Sequence, residues 1–343
     1  MDRRSFLAAL PALVPGAALA GGLFAPGVLA RRAVAQDAPI TLRISTLAPR
    51  GSAWHRVFTA WGNSLRTQTQ GRLTIQVTPA GVGDEMQLVR RLRAGEVDGA
   101  SFTTLGIAQI ARPVLVLQAP GVFDSYEQLD RARAAMDAEL RALFSESGVT
   151  LMGWSDYGQA RVFSTRPIRR PADFREARPW VTENDPIFPE LLRVIGAEGV
   201  PLPISGVMSA LEQGRIDTVV ASATAASALQ WHTRLSHVLQ QTNAVLLGAT
   251  LFSKSRVDAL PADLQQALRE TAAQAHEALQ RTVRRDDDRY YQTLSTRPGM
   301  TVVDGSQFES EWRQVAQQTR ERLVGRVYSR ELLDRAIAAA RAR

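Results

Sequence analysis

Cysteine is absent from the 343-residue chain. That excludes disulfides, thiolate metal sites and a lipid-bearing N-terminal cysteine, so the fold must stand on packing alone. Lysine is almost missing too: Lys254 is the only one, and arginine carries the formal charge of +7. Such a bias reflects genome composition more than nucleic-acid binding, and no basic run interleaved with aromatics accompanies it. Only four histidines occur, His55, His232, His237 and His276, and they are not at metal-ligand spacing. No Gly-x-Ser-x-Gly elbow is present. Gly81-Val82-Gly83 is too short for a dinucleotide loop. Neither a metal nor an organic cofactor is expected, and the chain does not read as an enzyme.

The N-terminus is rich in one kind of information. Arg3-Arg4-Ser5-Phe6-Leu7 precedes an apolar Ala/Leu/Gly run to Ala30, followed by Arg31-Arg32 and the small-residue site Ala33-Val34-Ala35. A basic start, an apolar stretch and an A-x-A site make an export signal, and the paired arginines point to the twin-arginine route. Pro11, Pro15 and Pro26 suit a membrane-spanning helix poorly. Cleavage near Ala35 leaves 308 of the 343 residues in an exported, periplasmic compartment. The leader's four arginines and one aspartate remove +3 of the +7 charge, leaving +4.

From Ala38 the punctuation is that of an α/β protein. A strand over 38–47, a helix over 53–68 with Trp54, Phe58, Trp61 and Leu65 on one face, and a strand over 73–77 precede a helix capped by Asp84. That order predicts a mixed, mostly parallel sheet covered on both faces. Further on, Pro171–Ser222 repeats the grammar: a strand over 177–181, a helix opened by Asp185-Pro186 and closed by Gly196, a helix opened at Ser205 and closed by Gly214, then a strand. Leu-x-x-Gly-x-(Val/Ile)-Asp occurs in both halves, ending at Asp98 and at Asp217. Two related lobes imply a cleft, where ligands bind. Both aspartates read as structural turn residues rather than as a catalytic pair. The strands expected over 149–154 and 245–251 make a two-strand hinge. A helix of about 50 Å from Pro261 to Thr296 is long enough to brace both lobes. Asp286-Asp287-Asp288 reads as a solvated face beside Arg284, Arg285 and Arg289. The lobes are expected to comprise 37–158 with 248–288, and 159–247 with 289–343 packed on it.

Several pieces, in order, carry a resemblance: Gly71-Arg72, Pro79-Ala80-Gly81, LRAGEVDGA, Pro120 with Phe123, Pro171-Ala172-Asp173-Phe174, Ile195-Gly196-Ala197 with Val200-Pro201, Gly214-x-x-Asp217 and Leu260-Pro261. Over about residues 38–325 the chain resembles the extracytoplasmic solute-binding proteins of tripartite ATP-independent periplasmic (TRAP) transporters, of the dicarboxylate-binding type. The resemblance implies a two-lobed binding protein that closes on a small ligand and delivers it to TRAP membrane subunits. It also implies an arginine clamping the ligand carboxylate where this chain has Trp180, with Arg178 available only by a slip in register. Ala221 stands where an asparagine is expected, and Gly206-Val207-Met208 replaces a Glu-x-Tyr. Two readings follow. In one, Trp180, Met208 and Ala221 line a pocket for a less polar, aromatic or amphipathic ligand. In the other, Trp180 is packing and Arg161 holds an organic acid. Trp54, Gly83 and Thr103 are expected from the first lobe. A periplasmic carrier of lipids or other hydrophobes, uncoupled from TRAP, would share these features.

Overall fold

A computed structural model describes residues 38–48, 50–79, 84–242 and 244–342. The leader, with its proposed cleavage site, and Gly83 lie outside the described residues.

The first half runs β1 (Ile40–Thr46), α1 (Ala53–Gln68), β2 (Leu73–Pro79), α2 (Glu85–Arg93), β3 (Gly99–Thr103) and α3 (Thr104–Ile110). Then come α4 (Tyr126–Ala135), α5 (Asp137–Glu146) and β4 (Val149–Ser164). The second half runs β5 (Trp180–Val181), α6 (Phe188–Ile195), β6 (Val200–Pro201), α7 (Val207–Glu212), β7 (Thr218–Ala221), α8 (Ala223–Ala228) and β8 (His237–Leu239). The chain returns through β9 (Ala244–Ser253), α9 (Lys254–Asp258) and α10 (Ala262–Ser295), and ends with β10 (Thr301–Val303), α11 (Glu309–Leu323) and α12 (Arg330–Arg341).

The local reasons are those the sequence suggests. Ser52, Asp84 and Ser222 accept hydrogen bonds from the first turns of α1, α2 and α8. Gly196 closes α6 in the left-handed conformation. Two starts differ from the expectation. Asp185 bonds the amides of Ile187 and Phe188, but the helix itself begins at Phe188, with proline in its first turn. Ser205 makes no cap bond; it lies in a 3₁₀ turn, Ile204–Gly206, ahead of α7.

The sheet is mixed. β1 pairs in parallel with β2 and β3, whereas β9 runs antiparallel between β3 and β4. β4 is the long connector: it pairs with β9 from Val149 to Ala160, then with β7 and β8 from Arg161 to Ser164. Both expected crossings, β4 and β9, are therefore real strands.

The two halves repeat one construction. Arg43 and Asp98 exchange backbone and side-chain bonds: the Arg43 amide donates to Asp98 Oδ2 at 2.8 Å, and the Asp98 amide donates to the Arg43 carbonyl at 2.8 Å. Arg178 and Asp217 do the same, at 2.7 and 3.1 Å. β1–β3 register and the parallel Pro179–Thr218 bridge agree with this equivalence. The echoed Leu-x-x-Gly-x-(Val/Ile)-Asp is thus one helix-to-strand joint built twice. Burial works against the Asp98 charge, but Arg43 and Arg256 outweigh it and hold the carboxyl below the usual range.

Helix α10 spans 34 residues, on the order of 50 Å. Its N-terminal part packs with α1 and β4 through Leu264, Leu268, Ala272, Leu279 and Val283. Its C-terminal part reaches α8 and the core formed by Phe163, Trp180, Trp231 and Leu294. It therefore braces both halves. The C-terminal segment corrects one expectation. α11 packs on α6, but α12 turns Leu332, Leu333, Ala336 and Ala340 into the first-half core against α4, so 289–343 is shared between halves rather than confined to the second. Among the described residues no helix is long and apolar enough to cross a membrane.

Candidate functional site

β4 is irregular where it leaves the first half. Its register with β9 shifts between Asp156 and Gly158, and it changes partner between Ala160 and Arg161. A strand that changes partners leaves a crevice beside the change, and such crevices are where α/β proteins bind ligands. Gly158 makes the shift possible: its φ is +106°, and a Cβ there would lie 2.5 Å from Asp287 and 2.6 Å from Ser222.

Asp287 fills that space. It accepts from the Gln159 amide at 2.9 Å, the Thr224 amide at 2.9 Å and the Thr224 hydroxyl at 3.1 Å. Burial pushes its carboxyl up despite these bonds. The reading of Asp286–Asp288 as a solvated face is therefore wrong for the middle residue. Consecutive helical positions point in different directions, and that of Asp287 is inward. A second charged group, centred on the buried Asp156, ties the same region: Arg284 donates to Asp130 at 2.6 and 2.7 Å and to Asp156 at 2.7 Å, while Arg133 donates to Asp156 at 2.8 Å.

Arg161 stands at the partner change, opposite Ala221 on β7. It is only 6% exposed. Nη1 donates to the Gln240 carbonyl at 2.7 Å, Nη2 to Gln159 Oε1 at 2.8 Å, and the guanidinium lies 3.6 Å from the centre of the Tyr291 ring. Nε has no partner, and Arg161 joins no ion pair among the described residues. Burial pulls its pKa down, with Tyr291, Asp287 and Asp288 pulling the other way. A buried cation without a carboxylate partner is costly, which makes it an anion-binding candidate.

Trp180 is buried in the second-half core, its Nε1 donates to the Leu202 carbonyl at 2.9 Å, and its ring meets Trp231 edge-on at 5.3 Å. Met208 is half-buried against the same core and Ala221 is buried in it. Arg178 is exposed and bonded to Asp217, as the counterpart of Arg43 in the first half. The structure therefore brings Trp180, Met208 and Ala221 into one core, sets Arg161 at its edge opposite Ala221, and leaves Arg178 engaged elsewhere.

On the first half, Trp54 and Thr103 both lie at the carboxyl ends of the parallel strands. Thr103 caps α3 and its amide donates to Glu85 Oε1 at 3.1 Å. Burial raises the Glu85 carboxyl to about 7, against the bonds from Thr103 and Gly106. Trp54 stacks on Tyr157, centroids 4.7 Å apart. Sequence reasoning missed Glu85, Tyr157 and Tyr291 and misplaced Asp287 on a solvated face. Only Glu85 had a signal, its place just after the Asp84 cap.

A concavity of about 340 Å³ elsewhere, bounded by Gln109, Arg112, Asn184 and Arg326, includes none of these groups. Its Arg193 and Arg326 are bonded to Glu190. No cluster of three His, Cys, Asp or Glu side chains able to hold a metal ion occurs among the described residues.

The family model for bacterial extracellular solute-binding protein, family 7 (DctP), matches residues 44–329. A solute-binding protein of Roseobacter denitrificans is 28% identical over 181 residues, 52% of this chain and 55% of that one. The 2,3-diketo-L-gulonate-binding periplasmic protein YiaO of Escherichia coli is 23% identical over 258 residues, 73% of this chain and 76% of that one. Among solved structures, a TRAP periplasmic solute-binding protein of Shewanella oneidensis with bound succinate superposes with a TM-score of 0.80 at 17% identity, covering 89% of this chain and 100% of that one. One from Roseobacter denitrificans with bound L-galactonate gives a TM-score of 0.74 at 24% identity, covering 87% and 98%.

Proposed function

The chain belongs to the DctP family of TRAP-type extracellular solute-binding proteins, not to an enzyme family, and from that premise we propose that it captures a small organic acid by its carboxylate at Arg161. The observation that carries this reading is a buried guanidinium with no ion pair among the described residues, at the point where β4 changes partner. An incoming carboxylate would supply the missing charge through charge-assisted bonds. Succinate and L-galactonate in the two structural neighbours, both acids, agree with it.

The other reading, a pocket for an aromatic or amphipathic ligand built on Trp180, Met208 and Ala221, has less in its favour. Trp180 has its one polar atom satisfied by Leu202 and its ring packed on Trp231. In our reading it replaces a charged clamp with core. The two halves would close on the ligand by bending at β4 and β9, and the loaded form would be read by TRAP membrane subunits. Export by the twin-arginine route with cleavage near Ala35 completes the proposal.

The test compares two variants by calorimetric titration with an acid that the wild type binds. Arg161→Gln should weaken binding by at least about a hundredfold, roughly the loss of a charged hydrogen-bonded pair. Trp180→Phe should lower stability by about 1 kcal/mol through the lost N–H bond, and leave affinity within about threefold. An unchanged affinity in Arg161→Gln, or a collapse in Trp180→Phe, would reverse the two roles.

A further inference from the structure

The concavity of about 340 Å³ is built from both halves. Gln109 and Arg112 reach it from the end of α3 and the turn that follows, in the first half. Asn184, Pro186 and Arg193 come from the segment between β5 and α6 and from α6 itself, in the second. The joint between α11 and α12 closes it with Arg326. That joint is tight: Gly325 has φ +76°, its amide donates to the Tyr328 carbonyl at 2.9 Å, and the Arg326 amide donates to the Leu323 carbonyl at 3.1 Å. Backbone geometry therefore fixes where Arg326 leaves the chain.

The charge around this hollow is one-sided. Glu190, on α6, is buried and accepts from three arginines: Arg193 Nη1 at 2.6 Å, Arg326 Nη1 at 3.1 Å and Arg322 Nη1 at 3.4 Å. Burial works against the Glu190 charge, but the three guanidiniums outweigh it and hold the carboxyl below its usual range. One carboxylate cannot neutralise three cations. Each guanidinium spends a single nitrogen on Glu190, and among the described residues Nε and Nη2 of all three have no partner. The Arg193 and Arg326 side chains are 62% and 63% exposed, so those donors are open to solvent. Glu190 orients the arginines more than it discharges them. Arg112 is exposed and joins no ion pair among the described residues. The other carboxylate, Asp185, is spent on the amides of Ile187 and Phe188.

We infer that this hollow is a second anion site, taking a phosphate-type group and separate from Arg161. A carboxylate offers two oxygens in one plane, a geometry that a single guanidinium fork matches. Arg112, Arg193 and Arg326 arrive on three separate segments. They require oxygens pointing in several directions, as on a tetrahedral phosphate. A divalent charge also suits the uncompensated cations. The group is a free phosphate or the headgroup of an anionic phospholipid, which share the chemistry that these arginines recognise. An occupant would touch α6 of the second half and the Arg112 turn of the first. The inference does not depend on the carboxylate role of Arg161.

The experiment is calorimetric titration of the mature protein with inorganic pyrophosphate, at about 0.15 M salt to screen non-specific attraction. Co-sedimentation with phosphatidylglycerol and phosphatidylcholine vesicles accompanies it. Pyrophosphate should bind saturably. Arg112→Gln, which breaks no ion pair, and Arg326→Gln should each weaken it at least about tenfold, the loss of one charged hydrogen-bonded pair. Arg281→Gln, which removes an exposed arginine of α10 paired with Glu277, should change it by less than about twofold. Arg161→Gln should leave it unchanged. Sedimentation with phosphatidylglycerol but not phosphatidylcholine, lost in Arg112→Gln, would support the site with a lipid headgroup as its source. Saturable pyrophosphate binding without sedimentation would support it with free phosphate. No saturable binding, wild-type affinity in both Arg112→Gln and Arg326→Gln, or loss in Arg161→Gln would overturn the inference. Tighter binding of a hexaglutamate peptide than of pyrophosphate would also overturn it, and would assign the hollow to an acidic protein segment.

Discussion

His276 shows how far a single residue's role depends on what packs around it. It is buried among Phe58 and Trp61, with Nδ1 at 2.7 Å from the Ala272 carbonyl and Nε2 at 2.7 Å from Thr250 Oγ1. Burial lowers its pKa from 6.5 to about 4, with the Ala272 bond opposing. The folded state therefore favours the neutral ring, and the unfolded chain binds the proton more tightly. Stability is whole above about pH 6.5 and declines as pH falls towards 4, by on the order of 3 kcal/mol from this group. Urea denaturation of the wild type and His276→Gln across that range should show a steeper acid loss in the wild type; equal slopes would contradict the assignment. From sequence, His276 was only a histidine without a metal pattern. Trp180 and Asp287 were similarly ambiguous, because periodicity says which residues share a face, not which face is covered. Arg178 was ambiguous for a different reason: its partner, Asp217, is 39 positions away.

At the scale of elements, the sequence was most informative where a pattern was long. The 34-residue helix α10 and the apolar face of α1 follow from periodicity and punctuation. The short strands β5 and β6, two residues each, are set by neighbours rather than by their own composition. The bulge in β4 was invisible, since a lone glycine in a strand marks many things. Its consequence is testable. Gly158→Ala would place a methyl against Asp287 and force a side chain into positive φ, at a cost of about 2–3 kcal/mol. A fall in the denaturation midpoint should accompany it, while Gly206→Ala, where the nearest atom to a new Cβ is 3.9 Å away, should change little. Equal behaviour of the two variants would remove the bulge from the account.

The described chain is built on two versions of one βαβαβ unit, joined by β4 and β9 and braced by α10. That architecture was legible because the duplicated joint repeats in sequence, and because the joint's chemistry, an aspartate bonded to an arginine's backbone and side chain, is local to each half. The candidate site was less legible because it belongs to neither unit. Arg161, Gln240 and Tyr291 come from β4, from the approach to β9 and from α10, and only folding brings them together. The residues at the positions expected to clamp a ligand, meanwhile, were absorbed into the second-half core.

Native mass spectrometry of the mature protein, purified from the periplasm without denaturation, tests the central claim most directly, with any retained molecule released and identified. A small carboxylic acid, absent from Arg161→Gln prepared in the same way, is the result the proposal predicts. A neutral apolar or aromatic molecule, retained equally by both proteins, would contradict it and return the pocket to Trp180.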